Sequence, residues 1–200
     1  MKRIESAEAL RAIYPPPQGP SAKKVMGSLE KHSRRFLELC PFLVLATAGD
    51  ASPKGDPPGF VRVIDDKTIF LPDRVGNNRV DSMLNVLDDP RVGLLCFLPG
   101  LNETLRINGR AEITTDPALL EPSAVRGKVP KTGLLIHIDE VFIHCANAIL
   151  RAHLWDPGHH IDREDFPPIG QVYADHMGRS EEAAAIAKGY AETHNDEVLY

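Results

Sequence analysis

The chain has 200 residues, of which 42% are hydrophobic and 26% are charged, and its formal net charge is −5. This length fits one domain with attached helices, and the composition supplies a core without disulfide or metal staples. The acidic balance, with no dense stripe of lysine and arginine, excludes general nucleic-acid binding. Cys40, Cys96 and Cys145 form no C-x-x-C pair, so we expect buried, reduced thiols and no zinc site.

The N-terminal segment is charged and lacks the apolar core of a signal peptide. The longest apolar runs, 42–48 and 92–98, are too short to span a bilayer. We therefore expect a soluble, cytoplasmic protein with no membrane partner.

Helical patterns open the chain. Ser6 can cap a short helix that Pro15 stops, because proline removes a backbone donor and restricts the residue before it. A longer helix is predicted from Ser21 through Leu37, where apolar residues recur at helical spacing, and Pro41 ends it.

From Phe42 onward the hydrophobic period becomes that of strands. Gly109 marks a possible position for a bulge in one of them, and a helix is predicted over 77–87. The predicted strands cover residues 42–47, 60–64, 68–71, 91–98, 104–114 and 134–146.

Sequential strands interrupted by one helix favour an antiparallel barrel over a doubly wound parallel sheet. No G-x-G-x-x-G follows the first strand, which also disfavours a dinucleotide-binding fold. We therefore predict a mainly β protein, a six-stranded antiparallel barrel with flanking helices. Further helices are predicted over 147–154 and over 180–193, the latter capped by Ser180.

The segment 72–79 is the best candidate for an anion site. A strand ends at Pro72, a polar turn with Gly76 follows, and a helix is predicted from Asn77. Unpaired N–H groups at a helix start attract anions, and arginine adds charge-assisted hydrogen bonds. A plain strand-to-helix turn with Asn77 or Asn78 as N-cap accounts for these residues equally well.

Three other features are weaker signals. Arg106 lies on a polar strand face that faces either solvent or a ligand, and 126–132 is a basic loop. Arg151 and Trp155 are four residues apart, so they share a helix face that can stack on a planar ligand or anchor packing. The pair His159-His160 lacks the spacing of a helical zinc motif, and we predict no metal site.

Four motifs and a C-terminal signature stand out when the segments are taken together. The motifs are 55–61, 71–77, 89–95 and 103–109, and the signature is His144-Cys145-Ala146, then Arg151 and Trp155. As a set they resemble the pyridoxamine 5′-phosphate oxidase-like family of split barrels that bind flavin mononucleotide (FMN). The resemblance runs from about residue 31 to 155 and is strongest to the subfamily of PPOX-class FMN-dependent enzymes.

The resemblance implies a homodimer with FMN at the subunit interface. It places Asn78-Arg79 where the family's oxidases carry Arg-Lys, so Arg74 or Lys131 is expected to replace the missing cation. Thr104 stands where the family has a glutamine. The cofactor-binding residues that it predicts are Phe60, Val61, Arg62, Val63, Pro72, Asp73, Arg74, Asn77, Asn78, Arg79, Thr104, Arg106, Lys131, Arg151 and Trp155.

The implied function is that of an FMN-dependent oxidoreductase acting on a small molecule, with NAD(P)H as a candidate electron donor and Arg106 stabilising the reduced ring. The segment after Trp155 lacks the substrate-phosphate motif of the vitamin B6 oxidases, so that reaction is not expected. The alternatives are a non-catalytic flavin-binding protein and a barrel that uses a deazaflavin or haem. The expected parts are an N-terminal helical segment (1–30), the split barrel (31–155) and a C-terminal extension (156–200).

Overall fold

The computed structural model describes residues 3–193. Its centre is one antiparallel sheet with the strand order β2-β1-β5-β6-β7-β4-β3. The predicted fold class is confirmed: the chain is a mainly antiparallel split barrel with flanking helices, built on seven strands where six were expected. The strands are β1 (Phe42–Ala46), β2 (Ala51–Gly55), β3 (Arg62–Val63), β4 (Thr68–Pro72), β5 (Arg91–Phe97), β6 (Thr104–Thr114) and β7 (Gly133–His144).

Helices precede, interrupt and follow the strands. Short 3-10 turns lie at Glu121–Ser123, Pro157–His159, Arg163–Asp165 and Ser180–Glu182. The α-helices are α1 (Ala7–Ile13), α2 (Pro20–Lys23), α3 (Lys31–Leu39), α4 (Asp81–Asp88), α5 (Pro117–Leu120), α6 (Asn147–Ala152), α7 (Ile169–His176) and α8 (Ala183–Thr193).

The core lies inside the curled sheet and is almost entirely aliphatic. Alternate residues of β5 and β1 point inward, and every residue of β4 is buried. Leu37 of α3 is fully buried against the same cluster. Burial of these side chains is the main stabilising contribution to the barrel.

The β6–β7 pairing contains the bulge that the sequence suggested near Gly109. Asn108 pairs with Glu140, whereas Gly109 pairs with Ile138, so Asp139 has no partner across the ladder. The extra residue shifts the alternation of inward-facing and outward-facing side chains by one position. Ile138 before the bulge and Val141 after it are therefore both buried.

Strand β2 was not predicted. It pairs with β1 alone, and Pro53 lies at its centre, where proline normally argues against a strand. An edge strand tolerates proline because one of its sides needs no ladder hydrogen bonds.

The long helix predicted from Ser21 to Leu37 is wrong. Helix α2 ends at Lys23, and the backbone of Met26 then exchanges hydrogen bonds of 3.0 and 2.8 Å with Val141. Glu30 starts α3 by accepting hydrogen bonds from the amides of His32 and Ser33. Pairing with the sheet and a strong N-cap therefore override the helical spacing.

Two C-terminal expectations also need correction. Ser180 does not cap a helix; it lies in a 3-10 turn and donates a 2.6 Å hydrogen bond to Asp175. Helix α7 was missed, and it packs against α8 where Gly170 faces Ala187.

Cys40 and Cys96 are free and buried, as expected, but Cys145 is exposed because it follows the last residue of β7. Between residues 3 and 193, no helix is long and apolar enough to cross a membrane.

The bulge predicts an intolerant glycine. A Cβ on Gly109 would lie 2.1 Å from the carbonyl oxygen of His137, and a paired backbone cannot move aside. We expect Gly109→Ala to lower the free energy of unfolding by about 1–3 kcal/mol in urea denaturation. Gly27→Ala is the control, since its nearest neighbour is Asp139 O at 3.9 Å. Equal losses in the two variants would contradict this account.

Candidate functional site

A cleft of about 480 Å³ opens between β2, the segment that connects β4 to α4, and the loop before β7. Its walls mix short polar side chains, cations and a few apolar groups. The lining residues are Ser52, Lys54, Asp73, Arg74, Val75, Gly76, Asn77, Asn78, Arg79, Val80, Asp81, Ser82, Met83, Lys128, Val129, Pro130 and Lys131.

Helix α4 points its N-terminus into this cleft. The helix begins at Asp81, not at Asn77, because Asn78 and Val80 have left-handed φ values of 58° and 51°. Asn77 instead accepts a 3.0 Å hydrogen bond from the amide of Arg79. The N-cap residue is Val80, whose side chain cannot accept a hydrogen bond. The backbone amides of the first turn therefore have no side-chain cap.

The backbone here is strained. A β-branched residue rarely adopts a left-handed conformation, and Val80 does so beside Asn78, which tolerates it better. Such strain, of the order of 1–3 kcal/mol, concentrates at ligand sites. Its position at the mouth of the cleft is consistent with a binding role.

The charge of the cleft differs from that of the whole chain. Five cations line it against two carboxylates, although the chain has a formal net charge of −5. The cations are Lys54, Arg74, Arg79, Lys128 and Lys131. A local positive charge at a helix N-terminus suits an anionic ligand.

Arg79 is exposed and pairs with Asp81, its Nε lying 2.7 Å from Oδ2. The hydrogen bond that Arg79 donates to the Asp81 carboxylate, and the negative charge of that carboxylate, raise the pKa of Arg79. An exposed pair of this kind is held weakly, so the guanidinium can exchange Asp81 for a bound anion at little cost.

Arg74 has a different role. Its Nε lies 2.5 Å from Oδ2 of Asp56, whose side chain is only 1% exposed, and its Nη1 donates to the carbonyl of Ser123. Arg74 therefore joins three segments of the fold. Lys131 borders the cleft as an exposed side chain, so of the two residues expected to replace the missing cation it is the better placed.

The acid Asp73 lies at the end of β4, where its amide donates to the carbonyl of Thr132. Partial burial raises the pKa of its carboxyl, against the opposing charge of Lys54. The pKa of Asp50, by contrast, is lowered by hydrogen bonds from Ser52 and Ser82, which tie β2 to α4 beneath the cleft.

Sequence reasoning missed the residues that β2 contributes. Ser52 and Lys54 line the cleft because they alternate with Ala51 and Pro53, which face solvent. The period-2 pattern was present, but Pro53 concealed it. Lys54 brings a cation from a strand that was not expected.

The residues predicted beside a flavin ring lie next to the cleft rather than in it. Phe60 and Val61 are buried in the core, and Pro72 is buried at the end of β4. Arg62 donates a 2.8 Å hydrogen bond to the carbonyl of Leu119, and Val63 packs against the core.

Four other predicted residues do not line the cleft of their own chain. Thr104 and Arg106 lie on β6, where Arg106 donates a 2.7 Å hydrogen bond to Glu140, an interaction that lowers the pKa of that acid. Arg151 is exposed on α6, and Trp155 Nε1 donates to the carbonyl of Leu101.

The family model for pyridoxamine 5′-phosphate oxidase matches residues 29–145, more than half of the chain. The chain therefore belongs to the pyridoxamine 5′-phosphate oxidase family. The match spans every strand and the whole cleft. None of the curated proteins matches the chain.

Several solved structures are similar to this chain. HupZ of Group A Streptococcus is 21% identical, covering 57% of this chain and 93% of its own with a TM-score of 0.46. A Clostridium acetobutylicum protein related to general stress protein 26 is 15% identical (59% and 94% covered, TM-score 0.42). An FMN-binding protein of Syntrophomonas wolfei is 12% identical (56% and 88% covered, TM-score 0.41).

The raised pKa of Asp73 predicts a pH dependence. A carboxyl whose pKa is raised on folding stabilises the fold below its ordinary value of 3.8, and this contribution is lost as pH rises. We expect Asp73→Asn to raise the melting temperature at pH 7 by about 1–3 °C, because a half-exposed carboxylate keeps much of its hydration. The gain shrinks at pH 3, as thermal unfolding would show. Asp165→Asn, at an exposed carboxylate outside the cleft, is the control; a gain independent of pH contradicts the account.

Proposed function

We propose that this protein binds FMN in the cleft and uses it to oxidise or reduce a small molecule. The observation that supports this best is the excess of five cations over two carboxylates at the N-terminus of α4. A phosphate monoester is the anion that such a site suits, through amide and charge-assisted hydrogen bonds. The cleft volume of about 480 Å³ lies within the range of small-molecule sites.

The residues present fit the phosphate of FMN. In the proposal, the first-turn amides of α4 and the side chains of Asn78 and Arg79 bind the phosphate, while Lys54 and Lys131 add charge. They compensate for asparagine at the position where the family's oxidases have a second cation.

Bound FMN would supply two-electron redox chemistry. The chain's own task is then to orient the ring and to exclude water. We assign the ring to the segment of Arg62 and Val63, next to the cleft. Arg62 is held by the carbonyl of Leu119, which fixes the start of that short strand.

The cleft is less suited to haem. Among the described residues that line it there is no histidine, cysteine or tyrosine, and the sulfur of Met83 already accepts a hydrogen bond from Thr132. A deazaflavin with a phosphate in its tail remains compatible with the same cations.

We further propose a homodimer with FMN at the subunit interface. Thr104, Arg106, Arg151 and Trp155 stand outside the cleft of their own chain, so a second copy is needed to bring them to the cofactor. The free, buried thiols of Cys40 and Cys96 are compatible with a reducing compartment, and we place the protein in the cytoplasm.

The proposal is tested by the spectrum of the purified protein. We expect a flavin absorbance spectrum after FMN is added in excess and removed by gel filtration, with one FMN per chain identified by mass. Anaerobic NADH or NADPH should bleach it at a catalytically useful rate. A bound flavin that neither donor reduces would favour the non-catalytic alternative, and a haem or deazaflavin spectrum would overturn FMN.

The phosphate site is tested by a matched pair of arginines. Arg79 and Arg91 are both exposed and pair with an aspartate two residues away, but only Arg79 borders the cleft. We expect Arg79→Ala to weaken FMN binding by about 1.5–3 kcal/mol, roughly ten- to a hundredfold. Arg91→Ala should leave the FMN affinity unchanged.

Riboflavin lacks the phosphate, so its affinity distinguishes loss of the phosphate contact from general damage to the flavin site. Both variants should bind riboflavin as the unaltered protein does, measured by quenching of flavin fluorescence. Equal weakening of FMN and riboflavin in Arg79→Ala would place the phosphate elsewhere.

A further inference from the structure

A second group of potential ligands lies outside the cleft, just after α6. The side chains of His153, Asp156 and His159 are exposed, and their ligand atoms all lie within 4.8 Å of one another. Within residues 3–193, this is the one group of three histidine, cysteine or acidic residues that meets that spacing.

The spacing of two members already approaches that of metal ligands. Oδ2 of Asp156 lies 3.0 Å from Nδ1 of His159. Two ligands about 2.0–2.2 Å from a tetrahedral ion lie roughly 3.3–3.5 Å apart, so a small movement admits an ion between them. Oδ1 of Asp156 accepts a 2.9 Å hydrogen bond from the amide of Gly158, which orients the carboxylate so that Oδ2 meets Nδ1 of His159. An ion would take the place of the hydrogen bond between Oδ2 and Nδ1.

The third member needs a rotation. The rings of His153 and His159 are stacked with centroids 4.1 Å apart and planes at 7°. An imidazole binds an ion in the plane of its ring, so the two parallel rings have to turn towards each other. Both residues are exposed, and the rotation costs only the stacking contact.

The backbone favours a special role for His153. Its φ is 49°, in the left-handed region where glycine is usual at the end of a helix. A histidine in this conformation carries backbone strain, and the strained residue is one of the three ligands. The segment is also anchored to the barrel by the hydrogen bond from Trp155 to the carbonyl of Leu101.

We propose that His153, Asp156 and His159 bind a divalent transition-metal ion, with Zn²⁺ as the best fit. Two imidazoles and one carboxylate suit zinc, nickel or copper, whereas Mg²⁺ and Ca²⁺ favour oxygen ligands alone. Three protein ligands leave a coordination position for water or another group. The ion joins the end of α6 to the 3-10 turn at Pro157–His159 and so braces the start of the C-terminal extension.

The test is titration of the full chain, without a polyhistidine tag, by ZnCl₂ in a calorimeter. We expect one ion per chain, and at least about tenfold weaker binding in His153→Ala, Asp156→Asn and His159→Ala. Asparagine keeps the oxygen that caps the 3-10 turn. His160→Ala is the matched control, since His160 is adjacent and exposed but outside the group. MgCl₂ should give no binding.

A spectrum of the unaltered chain provides a check that needs no variant. Co²⁺ in place of Zn²⁺ should give the strong visible bands of a four- or five-coordinate nitrogen and oxygen site. Absence of zinc binding, weak bands of fully hydrated Co²⁺, or equal losses in His159→Ala and His160→Ala would overturn the proposal. Circular dichroism verifies that each variant is folded.

Discussion

The buried ion pair between Asp56 and Arg74 is the contact on which the arrangement of the cleft depends. It joins the residue after β2 to the turn after β4, and Arg74 also reaches the carbonyl of Ser123. The Asp56 side chain is 1% exposed, so removal of the Arg74 guanidinium would take a close cation from a buried carboxylate, a larger penalty than loss of a surface pair. The strands bring both walls of the cleft together, but this pair fixes where they meet.

The same pair explains why the role of Arg74 could not be read from the sequence. By local chemistry alone, Arg74 and Arg79 are both candidates for an anion, because both flank the same glycine-containing turn; only the family resemblance favours Arg79. Their difference is tertiary: a carboxylate 18 residues away binds the first, and a weak neighbour holds the second at the surface. Local chemistry singled out the segment 72–79, and residues 73–79 line the cleft. The different contacts of Arg74 and Arg79, and the contribution of Lys54, depend on tertiary structure, including the pairing of β2 with β1.

The sequence predicts strands well where buried and exposed residues alternate. It predicts structure poorly where long-range backbone pairing determines the conformation. The pattern of β5, β6 and β7 fixed both their existence and, through Gly109, the bulge. Helical spacing between Ser21 and Leu37 was real, yet the backbone of Met26 pairs with Val141 and divides it. Long-range pairing of this kind leaves little trace in local spacing.

The contact between Arg79 and Asp81 gives the cleft an internal competitor. The carboxylate occupies the guanidinium whenever no ligand does, so an arriving anion has to displace one negative charge before it gains an arginine. A singly charged ion such as chloride merely replaces what was already there. A phosphate monoester carries nearly two charges at neutral pH and three oxygens. It would therefore compete with the carboxylate for the guanidinium better than chloride does, and it would also reach the helix amides. In the proposed complex, the pair would favour a doubly charged phosphate monoester over abundant monovalent salts.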